Sequence, residues 1–227
     1  CHNNAERKLN DSMSTLRVDS IKRLGAASSD SDSITIAGDG NVTVKGLDTG
    51  QVLEIISGLC DGRTVQGKNG TFTLPNAGNY WQSTSTSYQD IPGSSFSYTP
   101  PTGTKTVIYD WTVDFGDRGL GGISHYRFYI DSTEVTLARR TLSFSYENNN
   151  QHGQLTIPFK YTINIGTDDV ANGKVGTWTS DKTMKIQMRN YSGSYMTEFH
   201  HNTWWDGSGA SGTNKYSVPI LTVTAMK

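Results

Sequence analysis

Cysteine is nearly absent: Cys1 and Cys60 are the only two in 227 residues, at a spacing that fits neither a disulfide framework nor a metal site. Two free thiols are favoured over a Cys1–Cys60 bridge. No apolar run approaches the ~20 residues that a membrane-spanning helix needs, so no membrane insertion is expected. Charge of one sign is lacking too, since 20 Lys and Arg against 21 Asp and Glu leave a net −1. The densest basic cluster, Arg17, Lys22 and Arg23, is small, which argues against a nucleic-acid partner. Catalytic signatures are missing as well: there is no Gly-x-Ser-x-Gly elbow, no Walker loop and no His-Glu-x-x-His. The chain therefore reads as a protein that displays and binds, with no enzymatic activity, no cofactor and no metal.

What is present is alternation. In Leu155-Thr-Ile157-Pro-Phe159-Lys-Tyr161-Thr-Ile163-Asn-Ile165 every odd position is apolar, and every even one is polar except Pro158. Successive side chains of a strand point to opposite faces, so this pattern buries one face and wets the other. Tyr126, Phe128 and Ile130 alternate with outward His125, Arg127 and Tyr129, and Met184, Ile186 and Met188 with Lys185, Gln187 and Arg189. Strands are expected near 94–99, 106–116, 123–131, 135–146, 154–166, 183–190, 195–204 and 216–226. Eight such strands with Gly-, Asn-, Asp- and Ser-rich turns predict an all-β fold, an antiparallel jelly-roll-like sandwich. Pro158 cannot donate a ladder hydrogen bond and so marks an edge strand or a bulge. Such an edge needs covering, for which a partner subunit is one solution.

Three domains are expected. Residues 1–46 form an anchor or stem. Its opening, with Leu9, Met13, Leu16 and Leu24 near helical spacing, reads as a short helix or a helix entering a strand. Met13-Ser-Thr-Leu-Arg-Val-Asp-Ser-Ile21 also reads like an independent start. The pairs Ile34-Thr-Ile36 and Val42-Thr-Val44 flank a Gly-Asp-Gly-Asn turn, and strands this short cannot stand alone. Several chains winding together would cover them, as would a flap packed on the same chain. Residues 47–87 read as a small collar-like β unit with a linker, and 88–227 as the sandwich head.

Candidate contact residues lie late in the chain. Trp205, Asn202 and Asp206, with Trp204 beside them, have the aromatic-plus-amide-plus-carboxylate make-up of a carbohydrate site. Tyr191 and Tyr195 join them as loop residues of the expected contact surface. The alternative is structural, with one Trp in the core and the other plugging the barrel end or a subunit contact. His200 and His201 are adjacent on an expected strand and cannot share a metal ion. Asp39 with Asn41, and Asp168 with Asp169, offer too few oxygens for calcium, which takes six to eight. Asp110 and Asp114 share a strand face ~13 Å apart, too far for a retaining glycosidase pair. Asp131 and Glu134 sit at a turn. Cys60, before a tight Asp-Gly turn, is expected to be small and half-buried.

Three stretches resemble the short structural proteins of marine tailed bacteriophages and some large algal viruses. Met13-Ser-Thr-Leu-Arg-Val-Asp-Ser-Ile-Lys22 is similar to the start of phage fibre-like proteins. Gly50-Gln-Val-Leu-Glu-Ile-Ile-Ser-Gly-Leu-Cys-Asp-Gly62 with Thr71-Phe-Thr-Leu-Pro-Asn76 resembles an abbreviated tail-fibre collar motif, lacking the longer helical insert between its halves. Ser97-Tyr-Thr-Pro-Pro-Thr-Gly-Thr104, Gly122-Ile-Ser-His-Tyr-Arg-Phe-Tyr-Ile-Asp-Ser-Thr-Glu-Val135 and Trp204-Trp-Asp-Gly207 form the third. The resemblance implies a virion structural protein, a fibre, appendage or capsid-attached protein. Trimeric assembly, contacts to other virion proteins through residues 1–46 and attachment of the head to a host-surface glycan follow as expectations. A capsid decoration or cement protein, and a carbohydrate-binding module not tied to a virion, are the alternatives.

Overall fold

The computed structural model describes residues 20–21, 34–36, 42–44, 50–119, 122–143, 154–201 and 217–227. The chain divides into two units, residues 1–49 and 50–227. In the first, β1 (Ser20–Ile21), β2 (Ile34–Ile36) and β3 (Val42–Val44) pair antiparallel in that order. The two short pairs legible in the sequence are β2 and β3. The expected helix, Asp39 and Asn41 lie outside the described residues.

The second unit carries fourteen further strands among its described residues. They are β4 (Val52–Leu59), β5 (Thr64–Gly67), β6 (Gly70–Thr73), β7 (Trp81–Ser83), β8 (Gln89–Asp90), β9 (Phe96–Tyr98) and β10 (Thr106–Gly119). Then come β11 (Ile123–Ile130), β12 (Thr133–Ser143), β13 (Gln154–Ile165), β14 (Lys174–Val175), β15 (Lys182–Asn190), β16 (Tyr195–Phe199) and β17 (Ile220–Met226). The fold is an all-β antiparallel sandwich. In one sheet β10 pairs along one edge with β13, and along the other with β17 for its first half and β16 for its second. β4 extends that sheet beyond β17, and β7 extends it beyond β16. The other sheet runs β12-β11-β15, with β9 and β8 sharing the far edge of β15. β5 and β6 form a separate hairpin.

Alternation explains which residues meet between the sheets. Val107, Tyr109, Trp111, Val113 and Phe115 of β10 are buried, as are Tyr126, Phe128 and Ile130 of β11 and Met184, Ile186 and Met188 of β15. The layers interdigitate through rings: Phe128 of one sheet stacks on Tyr161 of the other, centroids 4.2 Å apart.

Two expectations change. Residues 47–87 are not a separate unit, because β4 forms a continuous ladder with the C-terminal β17 and turns Ile56 into the common core. The boundary falls near residue 49 instead. The strand expected over 195–204 stops at Phe199, because His200 takes a left-handed backbone, φ 59°, that ends the ladder.

Pro158 lies on an edge strand, as its missing N–H requires: among the described residues the side of β13 away from β10 pairs only with the two residues of β14. The chain covers part of that edge itself. Arg140 of β12 donates to the carbonyls of Pro158 (3.3 Å) and Lys160 (3.0 Å), with its guanidinium over the Tyr161 ring. A β-bulge between Tyr126 and Phe128 shifts the β11–β12 register by three residues and brings Arg140 opposite Tyr126. The edge that suggested a partner subunit thus has an intrachain cover.

Candidate functional site

Of the five contact residues expected from the sequence, Asn202, Trp205 and Asp206 lie outside the described residues. Tyr191 and Tyr195 are brought together at the β15–β16 turn. Their rings meet edge to face, centroids 5.9 Å apart, and Tyr191 is 59% exposed. His125 of β11 adds a third ring 6.3 Å from Tyr191, and its Nδ1 lies 3.0 Å from the Thr141 hydroxyl. Burial, helped by the nearby Arg189 charge, holds this imidazole below its usual range. The result is an aromatic ledge at one end of the second sheet.

The chain that follows is anchored by a buried polar group. Glu198 and His201 are both almost fully buried, with His201 Nδ1 3.2 Å from Glu198 Oε2. Tyr80 Oη lies 2.7 Å from Glu198 Oε1, and the Tyr80 ring stands 5.4 Å from that of His201. His200 turns away, its Nε2 donating to the Pro92 carbonyl at 2.9 Å. The two histidines therefore have different partners, although His200 lies past the end of β16 in a left-handed conformation and not on the strand expected to alternate them. Among the described residues no cluster of three metal-ligating side chains occurs.

The remaining candidate acids are engaged structurally. Asp110 lies 3.5 Å from Lys160 and Asp114 accepts from Thr156 at 2.6 Å, both on the outer face of the first sheet. Asp169 accepts from Asn172 at 2.8 Å across a 3-10 turn, and Asp168 faces the Gly176 amide. Asp131 holds the β11–β12 turn against Thr183, and Glu134 binds Arg139. Cys60 is fully buried rather than half-buried, and burial pushes its thiol up to about 12.

A second site went unnoticed in the sequence. The β5–β6 hairpin folds against β9, where Phe72 packs on Phe96 and Tyr98 with centroids 6.1 and 5.3 Å apart. Glu54 latches it down: one carboxylate oxygen accepts from Tyr98 Oη at 2.6 Å, and the other accepts from the Lys68 amide. Between hairpin and sheet lies a groove of about 660 Å³ bordered by Asn69, Thr71, Thr73, Ser97, Thr99 and Asp181. The Ser95-Phe-Ser-Tyr-Thr99 alternation announced the outward hydroxyls of β9. Nothing local announced that the hairpin would face them.

No family model matches this chain, and no curated protein matches it. Among solved structures, one similar chain comes from "Structure of infectious bursal disease virus Gt strain", at 12% identity and a TM-score of 0.19. The alignment covers 82% of this chain and 50% of that one, so the chain spans about half the length of that relative. Likeness of that degree carries no argument about fold or function.

Proposed function

We propose that this chain is a non-enzymatic structural protein of a virus particle, a fibre, appendage or capsid-attached protein exposed at the particle surface. Residues 50–227 serve as a displayed head that attaches to the host surface. Residues 1–46 bind other virion proteins and hold the chains together as a trimer. The observation that carries this reading is the division at residue 49. A single sandwich with one continuous core follows a unit whose described strands are only two or three residues long. Strands of that length gain too little from pairing to persist alone, so neighbouring chains would supply the missing contacts.

The head has features suited to the role. The Tyr191–Tyr195 ledge presents flat amphipathic rings, the side-chain type enriched where proteins bind partners. Val52, Ile55 and Ile220 are about half exposed on neighbouring strands β4 and β17, with the hydrogen-bonded Ser57–Thr222 pair between Ile55 and Ile220, and offer a mixed apolar and polar surface for a subunit contact. Three heads on one stem would raise weak individual contacts to useful avidity through effective concentration.

Light scattering of the full chain at micromolar concentration should give three times the 24.9 kDa chain mass. A monodisperse monomer would overturn the trimeric stem. Antibodies against the head should label the surface of intact particles, and particles lacking this chain would overturn the virion assignment.

A further inference from the structure

We propose that the groove between the β5–β6 hairpin and β9 is a binding site for a neutral oligosaccharide. This deepens the attachment reading by naming a ligand class and a place, and it rests only on that reading's claim that the head binds.

The lining selects the ligand. Its polar side chains are five hydroxyls (Thr71, Thr73, Ser95, Ser97 and Thr99), the Asn69 amide and the Asp181 carboxylate, with no Lys or Arg among them. A phosphate, sulfate or acidic sugar would meet Asp181 without a counter-charge. An apolar ligand would strip water from these groups without replacing its hydrogen bonds, which is unfavourable. A ligand built from hydroxyls satisfies them, because each sugar hydroxyl both donates and accepts, like the Ser, Thr and Asn groups it would face. An ionised carboxylate only accepts; Thr99 already donates to one Asp181 oxygen, and the acceptor positions that remain suit a sugar hydroxyl donor. Phe72 adds a half-buried aromatic surface to the same lining, against which the C–H face of a sugar ring can pack.

Size and rigidity agree. The groove volume of about 660 Å³ falls within the roughly 300–1,000 Å³ of small-ligand sites. A second depression of about 310 Å³, lined in part by Trp178, adjoins the groove at Asn69 and Thr99. Its side chains are already positioned: Thr99 donates to Asp181 at 2.5 Å, Ser97 bonds Thr183 at 2.8 Å, and Thr71 donates to Gln66 at 3.0 Å. Little side-chain freedom remains to be lost on binding.

The test titrates the full chain with maltotriose, cellotriose, mannotriose, chitotriose, lactose and 3′-sialyllactose, read by saturation-transfer NMR and calorimetry. We expect saturable binding of at least one neutral member, with Kd roughly between 10 μM and 5 mM, and weaker binding of sialyllactose than of lactose. Asp181→Ala combined with Thr99→Val should weaken binding tenfold or more at an unchanged melting temperature, whereas Leu155→Ala, at an exposed position of β13, should leave it unaltered. Absence of saturable binding by every neutral sugar overturns the inference. So does binding that survives the double substitution. Particle labelling and the trimer mass are independent readouts, so the attachment reading can stand where the groove fails, and the reverse.

Discussion

Tyr98 donates its hydroxyl to Oε2 of Glu54 across 2.6 Å and so joins β9 of one sheet to β4 of the other. The second carboxylate oxygen accepts from the Lys68 amide at the hairpin turn, so one side chain ties three elements together. Burial, with the carboxylate beside it, keeps the phenol protonated far above its ordinary range.

Glu54→Gln replaces one acceptor oxygen with an amide donor that faces a donor. Leaving one buried partner unsatisfied costs about 1–3 kcal/mol, measurable by urea denaturation. Hydrogen exchange should accelerate at Lys68 and along β5–β6 while β10 and β13 stay protected. Uniform acceleration across the sandwich would contradict a local latch.

Arg140→Ala should uncover the Pro158 and Lys160 carbonyls and remove the cation over Tyr161. The expected loss is about 1 kcal/mol of stability, together with concentration-dependent association through the opened edge. Arg140→Lys keeps the charge but not the planar fork, and should fall in between. Sedimentation velocity over a range of concentrations reads the effect, and an unchanged monomer–oligomer profile for Arg140→Ala counts against an edge-covering role.

Cys60 is sealed in the core, with its thiol pushed by burial up to about 12. Thiolate is the reactive form, so in a Cys1→Ser background an aromatic disulfide reagent at pH 8 should find no thiol until the protein unfolds, and then one. Rapid reaction of the native protein would show that this part of the core opens.

His200 is also buried, and burial pushes its imidazole down to about 4. In the unfolded chain the group titrates near 6.5, so on acidification the unfolded state takes up the proton first. Its contribution to stability is complete above about pH 6.5 and is lost as pH falls toward 4, to the extent of roughly 3 kcal/mol. Thermal melts across that window should show the slope. His200→Asn, which tolerates the left-handed backbone, should flatten it.

The strands and the inward face of each were legible in the amino-acid order, because alternation is a local property. Met184, Ile186 and Met188 announce a buried face whatever lies opposite, and Pro158 announces an edge through the N–H it lacks. Partners were not legible. Ser57 and Thr222 share a hydrogen bond across 165 positions of chain, and nothing near Gly50–Gly58 distinguishes a strand of the main sheet from a small independent unit. The same holds for the sites. Tyr191 and Tyr195, four residues apart across one turn, could be paired from sequence alone, whereas Thr71, Ser97 and Asp181 face one groove only because Glu54 and Phe72 seat the hairpin there. Composition and periodicity settled that this chain is an all-β sandwich without a helical membrane span. Only the tertiary structure decided that β4 completes the sheet, that Arg140 covers an edge and that scattered hydroxyls converge. Burial pattern is written in neighbours along the chain, while pairing depends on which buried faces and hydrogen-bonding edges find each other in space.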